Sequence, residues 1–250
     1  MAGRASGDHF SAISAAYAEF RPRYPRELLD FVSSVPANRR RAWDCGAGTG
    51  QATVDLAARF DEVIGSDVSA EQLARAPQKP NIRWIVAPAE SVPIEDQSID
   101  LTTVAQALHW FDHERFFAEV RRVAAPGGAF AAWAYMSVQM DGELGAILDR
   151  YEHETVGPYW PPERKHVDSA YSTIPFPFER IEAPQIEIEQ QWTLAQTAGY
   201  LRTWSATTRF VAQRGIDPVV DVERELAAVW GNPETARRVH WPVTVLAGRI

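Results

Sequence analysis

The sequence predicts an α/β fold in which helices cover both faces of a mostly parallel sheet. Three observations predict it. Between residues 41 and 135, short apolar runs of strand length alternate with segments of helical spacing, which is the pattern of consecutive β-α units. Glycine occupies every second position of the turn after the first strand, at Gly46, Gly48 and Gly50. An acidic residue, Asp67, ends the next strand, at the edge where open sheets of this kind bind ligands.

The elements that precede the sheet are predicted to be helical. Residues 8–20 have helical character, and Pro22 and Pro25 interrupt that pattern. A second helix is expected from Pro25, because proline is tolerated in the first turn of a helix. Residues 1–36 are therefore predicted to form an N-terminal helical cap.

Residues 37–135 are predicted to form the core that contains the parallel sheet. Asp112 is the predicted N-cap of the last helix of this core, and Pro126-Gly127 is predicted to end that helix. Strands are expected at 41–45, 62–67, 82–87, 99–105 and 128–135, and helices at 50–60, 70–77 and 113–124.

The hydrophobic periodicity changes after residue 136. Isoleucine and glutamate alternate from Ile186 to Glu189, which predicts a strand at 184–193. A final strand is expected at 241–247, and the two strands are predicted to pair as an antiparallel edge hairpin. Residues 136–250 are thus assigned C-terminal strands with helical lid insertions at 142–155 and 195–230, the latter interrupted near 215–218, and residues 1–250 are assigned to a single domain.

Bulk properties exclude several function classes. The chain has 250 residues and a net charge of −8, which argues against a nucleic-acid surface. It contains no run of 18 apolar residues and no apolar signal core near its start, so no membrane partner is expected and the cytoplasm is the expected location. The single cysteine, Cys45, excludes an internal disulfide and is interpreted as a small buried residue instead of a nucleophile.

The glycine turn indicates a nucleoside-containing ligand, and Asp44 helps to decide which one. A dinucleotide site has the pattern G-x-G-x-x-G and binds a pyrophosphate, whereas here Gln51 occupies the position of the third glycine. The Asp44 carboxylate would repel a pyrophosphate and attract an ammonium group. The turn therefore favours a phosphate-free ligand with an amino-acid end, which is S-adenosylmethionine. A carboxylate at Asp67 is placed to accept hydrogen bonds from a ribose diol.

These features together resemble the Rossmann-like, class I S-adenosylmethionine-dependent methyltransferases. Asp44 to Gly50 matches the D-x-G-x-G-x-G loop of that family, and Asp67 matches the acid that ends its second strand. The segment 87–93 is similar to the turn that lies along the adenine, and the match extends over residues 40–135. The resemblance implies a seven-stranded, mostly parallel sheet with an antiparallel C-terminal edge strand and a helical cap.

A narrower resemblance concerns three short segments. Residues 10–17, 21–25 and 107–112 are similar to a methyltransferase subgroup that includes the trans-aconitate methyltransferases. The name of this subgroup points to a carboxylic acid as one candidate methyl acceptor. The loop and the two resemblances together predict these cofactor-binding residues: Tyr17, Arg21, Asp44, Gly46, Ala47, Gly48, Thr49, Gly50, Gln51, Asp67, Val68, Ala89, Glu90 and Gln106.

His109 is the candidate catalytic residue, because it follows the fourth strand at the ligand-binding edge. Four interpretations stay open for it: a general base, a hydrogen-bond donor to substrate, a wall of the cofactor pocket, or a structural histidine. His109 and His113 have metal-ligand spacing but lack a further ligand cluster, so no metal is predicted. Asp67 has a competing interpretation as a helix N-cap, although Ser69 is itself a good cap.

Aromatic and arginine side chains supply candidates for the substrate pocket. Most aromatic residues, such as Trp84, are expected to be core, but those in the lid could exclude water from the reacting methyl group. Arg21, Arg23, Arg202 and Arg209 could bind a carboxylate bidentately or be surface arginines. The predicted pocket residues are Trp110, Tyr135, Trp160 and Trp204.

The sequence thus predicts in-line methyl transfer from S-adenosylmethionine to a small-molecule acceptor, with the protein mainly positioning the reactants. A carboxylate acceptor would need no base, whereas a phenol or an amine would benefit from one. Two alternatives stay open: a non-catalytic sensor of S-adenosylmethionine and an NAD(P)-dependent oxidoreductase. The chain is expected to be a monomer or a homodimer.

Overall fold

A computed structural model describes residues 22–250 of the chain. The helix predicted at 8–20, and with it Tyr17 and Arg21, lies outside the described residues. The helices and strands are numbered here in chain order from residue 22.

The described chain divides into two compact units. The first, called the sheet unit, consists of Tyr24–Met136, Glu163–Glu187 and Pro242–Ile250. The second, called the helical unit, contains Ser137–Pro162 and Ile188–Trp241, with residues 22–23. The assignment of the whole chain to a single domain stays a prediction.

Most regular elements lie where the hydrophobic pattern predicts them. Those of the N-terminal half are α1 (Arg26–Ser34), β1 (Arg41–Cys45), α2 (Gln51–Leu56), β2 (Glu62–Asp67), α3 (Ala70–Ala74), β3 (Ile82–Val86), β4 (Ile99–Ala105), a 3-10 turn (Leu108–Trp110), α4 (His113–Val123) and β5 (Ala124–Tyr135). The C-terminal half contains α5 (Gly142–Arg150), a π-helical turn (Tyr151–Thr155), a 3-10 turn (Gly157–Tyr159), α6 (Arg164–Asp168), β6 (Glu179–Ile181), β7 (Ile186–Trp192), α7 (Leu194–Arg202), α8 (Ser205–Arg214), α9 (Val219–Trp230) and β8 (Arg237–Arg249).

The sheet has the strand order β3-β2-β1-β4-β5-β8-β6, and β7 pairs with β8 off this path. Neighbours from β3 to β5 are parallel, whereas β8 is antiparallel to both β5 and β6. Six strands of the path therefore share one direction and β8 runs against them. The predicted fold class is confirmed: a mostly parallel sheet with one antiparallel strand.

The predicted antiparallel C-terminal strand is β8, and the predicted pairing of the last two strands is found, since β7 pairs with β8. A short strand that the pattern does not predict, β6 (Glu179–Ile181), extends the sheet beyond β8. The strand β6 has only three residues, of which two are exposed, so it carries no alternating pattern that a sequence could show.

The junction between α4 and β5 also differs from the prediction. Pro126-Gly127 does not separate the helix from the strand, since β5 begins at Ala124, directly after α4. Instead, the pairing with β4 jumps from Ile99 opposite Ala124 to Leu101 opposite Ala129. Gly127 has a φ of +75° within this bulge, which accommodates the extra residues without a loop.

Apolar side chains cover the sheet on both faces. On one face, Trp43 and Phe130 pack with Phe116 of α4. On the other, Trp133 packs in a cluster with Leu28 of α1 and Leu56 of α2. Because both faces are buried, the ligand-accessible positions of the sheet are its ends, as in other parallel α/β sheets.

The helical unit is built on buried aromatic residues. Trp241 donates a hydrogen bond from Nε1 to the Tyr200 hydroxyl at 3.1 Å, and Trp192 packs against both rings. The predicted helix at 142–155 is α5 extended by the π-helical turn, and the predicted 195–230 region is three helices, α7 to α9. Within residues 22–250, no helix combines the length and the apolar character needed to cross a membrane.

Candidate functional site

The glycine turn joins β1 to α2 at the carboxyl edge of the sheet. Gly46, Gly48 and Gly50 have φ angles of +70°, +56° and +84°, which side chains with a Cβ rarely adopt. The turn is fixed by backbone hydrogen bonds, from Ala47 N to the Ser66 carbonyl at 2.9 Å and from Gly50 N to the Ala47 carbonyl at 2.8 Å. The turn is thus rigid and presents backbone at the strand ends.

The three glycines are required for different reasons. A Cβ at Gly46 would lie 2.7 Å from the Cβ of Ala107, and one at Gly50 would lie 2.4 Å from the Trp84 ring. Among residues 22–250, the one side chain that a Cβ at Gly48 would meet is Gln72, whose amide oxygen, the end of a flexible side chain, would lie 2.9 Å away. Gly46 and Gly50 therefore serve packing within the protein, and Gly48 is the position where a ligand can approach the backbone.

Asp67 ties the glycine turn to the end of β2. Its carboxylate accepts hydrogen bonds from the backbone N–H of Gly48 at 2.9 Å and of Ser69 at 2.8 Å. The N-cap of α3 is Ser69, whose hydroxyl accepts from Gln72 N, so the competing interpretation of Asp67 as that cap is wrong. Each Asp67 oxygen keeps a further lone pair for a ligand hydroxyl.

Asp44 is fully buried, with 0% exposure, under the glycine turn. Thr53 and Thr103 donate hydroxyl hydrogen bonds to its two oxygens at 2.6 and 2.9 Å. Burial raises the pKa of Asp44 to about 6, against the opposing effect of these two hydrogen bonds, and the Asp67 charge adds to the rise. Within residues 22–250, no cationic side chain pairs with this carboxylate.

The turn at residues 87–93, which is predicted to lie along an adenine, is hydrogen-bonded to the start of α4. Glu90 accepts a hydrogen bond from Asp112 N at 3.0 Å, and Asp112 is the N-cap of α4, as predicted. The Ala89 side chain points into the core, so only its backbone is available to a ligand. Val68 and Val86, at the ends of β2 and β3, are 70% and 57% exposed and offer an apolar surface at the same edge.

Gln106 occupies a strained position at the end of β4. Its φ is +59°, in the left-handed region, and its backbone N donates to the Trp133 carbonyl at 2.9 Å. Among the residues that the structure describes, the buried side-chain Nε2 of Gln106 has no hydrogen-bond partner, and neither has Nε1 of Trp133. Backbone strain and a buried donor without an acceptor are features of binding sites, because a ligand can supply the missing acceptor.

His109 lies in the 3-10 turn that follows β4. Its Nδ1 is 3.5 Å from the hydroxyl of Tyr171, and its ring contacts Trp110, which is 54% exposed. Burial is the main cause that lowers the pKa of His109 to about 4, and the charge of Arg164 adds to the effect. The imidazole is therefore neutral at neutral pH.

His113 does not face a shared ligand position with His109. Its Nε2 is hydrogen-bonded to the carbonyl of Leu108 at 3.0 Å. Among the residues from 22 onward, no three His, Cys, Asp or Glu side chains are placed to share a metal ion.

Other predicted residues are placed as follows. Thr49 is exposed, Gln51 begins α2, and Tyr135 ends β5. Trp160 and Trp204 contact each other in the helical unit, with ring centroids 5.4 Å apart. The roles of all five residues in cofactor or substrate binding stay predictions.

Three alternatives are settled by contacts. Of the two interpretations of Arg202, the structure fits the surface arginine, because its guanidinium is paired with Asp217 and Glu223 at 2.8 and 2.9 Å. Cys45 is buried, and burial raises the pKa of its thiol well above the usual value, so the thiol is not a nucleophile. Trp84 packs over Gly50 and Gly65, in keeping with its interpretation as a core residue.

Sequence reasoning missed the two threonines that support Asp44 and the pairing of Tyr171 with His109. Thr53, Thr103 and Tyr171 each contribute a hydroxyl group to one of these two side chains. A signal existed for Thr103, since two adjacent threonines interrupt the apolar residues in the middle of a buried strand. None existed for Tyr171, which is 62 residues from His109 along the chain.

Comparison with known proteins gives a consistent family. A family model described as a methyltransferase domain matches residues 43–132. A Dictyostelium discoideum protein classed by name as a methyltransferase is 31% identical over 249 residues, which covers 97% of this chain and 95% of the relative. A Saccharomyces cerevisiae protein classed as an S-adenosylmethionine-dependent methyltransferase is 36% identical over 132 residues, which covers 49% of this chain and 45% of that relative.

A solved structure is similar over nearly the whole chain. It belongs to a protein of Anaeromyxobacter dehalogenans described as a type II methyltransferase. The two chains are 45% identical, and the match covers 92% of this chain and 97% of that one with a TM-score of 0.87.

Proposed function

The chain belongs to the class I S-adenosylmethionine-dependent methyltransferases, and on that premise we propose that it transfers a methyl group to a small carboxylic acid. The observation that carries the proposal is the pair of features at the glycine turn: a buried Asp44 carboxylate that pairs with no cation among residues 22–250, and a backbone at Gly48 that a ligand can approach. A zwitterionic ligand without phosphate complements both.

The residues at the carboxyl edge fit this cofactor. Asp44 would balance the ammonium group, since a buried carboxylate is stabilised by an opposite charge. Asp67 would accept hydrogen bonds from the ribose hydroxyls, and Val68 would pack on the adenine with the backbone of Ala89 and Glu90. When bound, S-adenosylmethionine supplies a methyl group that is already activated on a sulfonium sulfur. The residues of this chain bind and orient the cofactor and the acceptor, and they exclude water from the reacting groups.

One cation near His109 bears on the acceptor class. The charge of Arg164 lowers the pKa of His109 and that of Glu163 raises it, and the Arg164 guanidinium is also paired with Asp168 at 2.7 Å. An arginine beside the ring favours an anionic acceptor over a cationic amine. The resemblance of residues 107–112 to the subgroup that includes the trans-aconitate methyltransferases supports the same class. The assignment to this subgroup and the acid as acceptor are our proposals.

The test is a turnover assay that measures S-adenosylhomocysteine release with panels of small mono-, di- and tricarboxylates, phenols and amines. We expect release with carboxylates, and a product methyl ester that mild base hydrolyses to methanol. Turnover with amines or phenols alone would contradict the acceptor class. Tight cofactor binding without release on any panel would favour the sensor alternative. The comparisons do not favour the oxidoreductase alternative.

A further inference from the structure

Tyr171 and His109 form an isolated polar pair in the sheet unit. Tyr171 follows α6 and is 1% exposed, and its hydroxyl lies 3.5 Å from His109 Nδ1. The two rings are stacked, with centroids 6.5 Å apart and planes inclined by 29°. Hydrogen bonds at active sites are often long without ligand and shorten in the complex, so a 3.5 Å distance is compatible with a working contact.

The backbone that delivers Tyr171 is strained. Ala170 and Tyr171 have φ angles of +51° and +58°, and two consecutive residues with a Cβ rarely adopt the left-handed region. The turn is held by hydrogen bonds from Ala170 N to the Val167 carbonyl at 2.8 Å and from Tyr171 N to the His166 carbonyl at 2.7 Å. Strain of this kind persists where the surroundings enforce it, and it concentrates at functional sites.

The hydroxyl hydrogen of Tyr171 determines the tautomer of His109. Among residues 22–250, Nδ1 of His109 is the one hydrogen-bond partner of the buried Tyr171 hydroxyl. If Nδ1 carried the imidazole proton, the phenol oxygen would accept it and the phenol hydrogen would be buried without an acceptor, which is unfavourable. If the phenol donates, Nδ1 accepts the hydrogen bond through its lone pair, and Nε2 carries the imidazole proton. Burial keeps both groups neutral, since it raises the pKa of Tyr171 and lowers that of His109 to about 4.

We infer that Tyr171 is a positioning residue that holds His109 as its Nε2–H tautomer, so that His109 presents a neutral hydrogen-bond donor to the methyl acceptor and does not act as a base. The tautomer stands on the geometry alone, whereas the contact with the acceptor rests on the proposed function. The chemistry agrees: a carboxylate oxygen that gains a methyl group gives up its negative charge and releases no proton, so its site needs a donor and no base.

The direct test is the tautomer itself, measured by long-range ¹H–¹⁵N NMR of the histidine rings in the ligand-free protein. The His109 signals are assigned by their loss in His109→Gln. We expect the Nε2–H pattern in the wild type, and a mixture of tautomers in Tyr171→Phe, which keeps the ring and removes only the hydroxyl. An Nδ1–H pattern in the wild type, or an unchanged pattern in a folded Tyr171→Phe, would overturn the inference.

A second pair of variants keeps the inference testable if Tyr171→Phe does not fold. The amide nitrogen of glutamine reaches the position of Nε2, and that of asparagine reaches the position of Nδ1. We therefore expect kcat/KM of His109→Gln to exceed that of His109→Asn by about tenfold or more, since a hydrogen bond to a charged acceptor both binds and orients it. Equal losses in kcat/KM would contradict the donor role. Calorimetry with S-adenosylhomocysteine provides the control, because neither variant should change its affinity by more than about twofold if His109 faces the acceptor.

The two levels of failure are distinguishable. If no acceptor supports turnover, the proposed function fails, and the NMR result still decides the tautomer. If carboxylates are methylated but the wild type shows Nδ1–H, the proposed function stands and this inference fails.

Discussion

Cofactor affinity should depend on the ionisation of Asp44. The carboxylate is fully buried, with a pKa raised to about 6, and two threonine hydroxyl groups are its hydrogen-bond partners. An ammonium group binds the ionised form better than the protonated form, so acidification through the pKa should weaken binding. The pKa of His109 is about 4, and this residue therefore stays mostly neutral through the same range.

The size of the effect follows from the pKa. With a value of about 6, Asp44 is almost fully ionised at about pH 7.5 and only about one-tenth ionised at about pH 5. If only the ionised form binds, the apparent Kd of S-adenosylhomocysteine should rise about tenfold between these two conditions. The α-amino group of the ligand is mostly protonated throughout this range, because its ordinary pKa is close to 8.

The free energy of unfolding should change with pH in the opposite direction to cofactor affinity, so it should fall as pH rises. The pKa of Asp44 in the folded state is above its unfolded value of 3.8, so the folded state binds the proton more tightly than the unfolded state. The stabilisation that this proton gives the folded state is lost as pH rises from 3.8 through about 6. The rise of about two pKa units corresponds to about 3 kcal/mol of destabilisation above that pH. Asp44→Asn removes the charge, and we expect it to raise the unfolding free energy above pH 6 by up to that amount while it weakens cofactor binding.

Isothermal titration calorimetry across this pH range, with denaturant unfolding beside it, checks both expectations. The matched control is Asp100→Asn, which changes a second buried aspartate of the same sheet. Asp100 accepts from Arg40 N at 2.8 Å, from Arg41 N at 3.0 Å and from the Arg40 guanidinium at 3.3 Å. We expect this control to lose stability and to keep the pH dependence of binding. Wild-type affinity of Asp44→Asn at about pH 7.5 would refute the reasoning, because buried opposite charges must couple.

Two further predictions concern the same edge of the sheet. Gly48→Ala should weaken S-adenosylhomocysteine binding at least about tenfold in calorimetry, because the new Cβ enters the ligand space at a φ of +56°. Its control is Gly142→Ala, with a φ of +63° and no atom within 4 Å of the added Cβ, which should lose similar stability and keep its affinity. Gln106→Leu removes a buried donor that lacks a partner within residues 22–250, so the ligand-free protein should melt at an equal or higher temperature in calorimetric scans while its cofactor affinity falls. A lower melting temperature with unchanged affinity would show that the Gln106 amide is structural.

The fold was largely predictable because its signals are local. Strand length, helical spacing and the glycine turn are properties of neighbouring residues, and β1, β2, β3 and β4 lie within one or two residues of their predicted bounds. The errors occur where pairing decides the structure. The three-residue strand β6 exists because β8 offers it an edge, and the bulge at Gly127 exists because β4 fixes the register of β5.

The site was predictable only as far as its backbone pattern reaches. The sequence shows that Gly46 and Gly50 are glycines but not that Ala107 and Trp84 require them, since those contacts join residues far apart in the chain. The same holds for Tyr171, whose approach to His109 depends on a strained turn that no local pattern indicates. A tautomer, and with it the difference between a base and a donor, is therefore decided by contacts that sequence patterns do not contain.

Asp44 and Asp100 show why residue type and burial alone do not identify a ligand-binding acid. Both are buried aspartates on the adjacent strands β1 and β4, and hydropathy treats them alike. Asp100 lies at the amino end of β4, where backbone N–H groups and an arginine of the chain itself balance its charge. Asp44 lies at the carboxyl end of β1, where two hydroxyls and the backbone N–H of Thr53 orient its oxygens but no side chain of residues 22–250 supplies a positive charge. Within these described residues Asp100 is balanced without a ligand, whereas Asp44 is not, which is the physical reason to assign the cofactor's ammonium group to that end of the sheet.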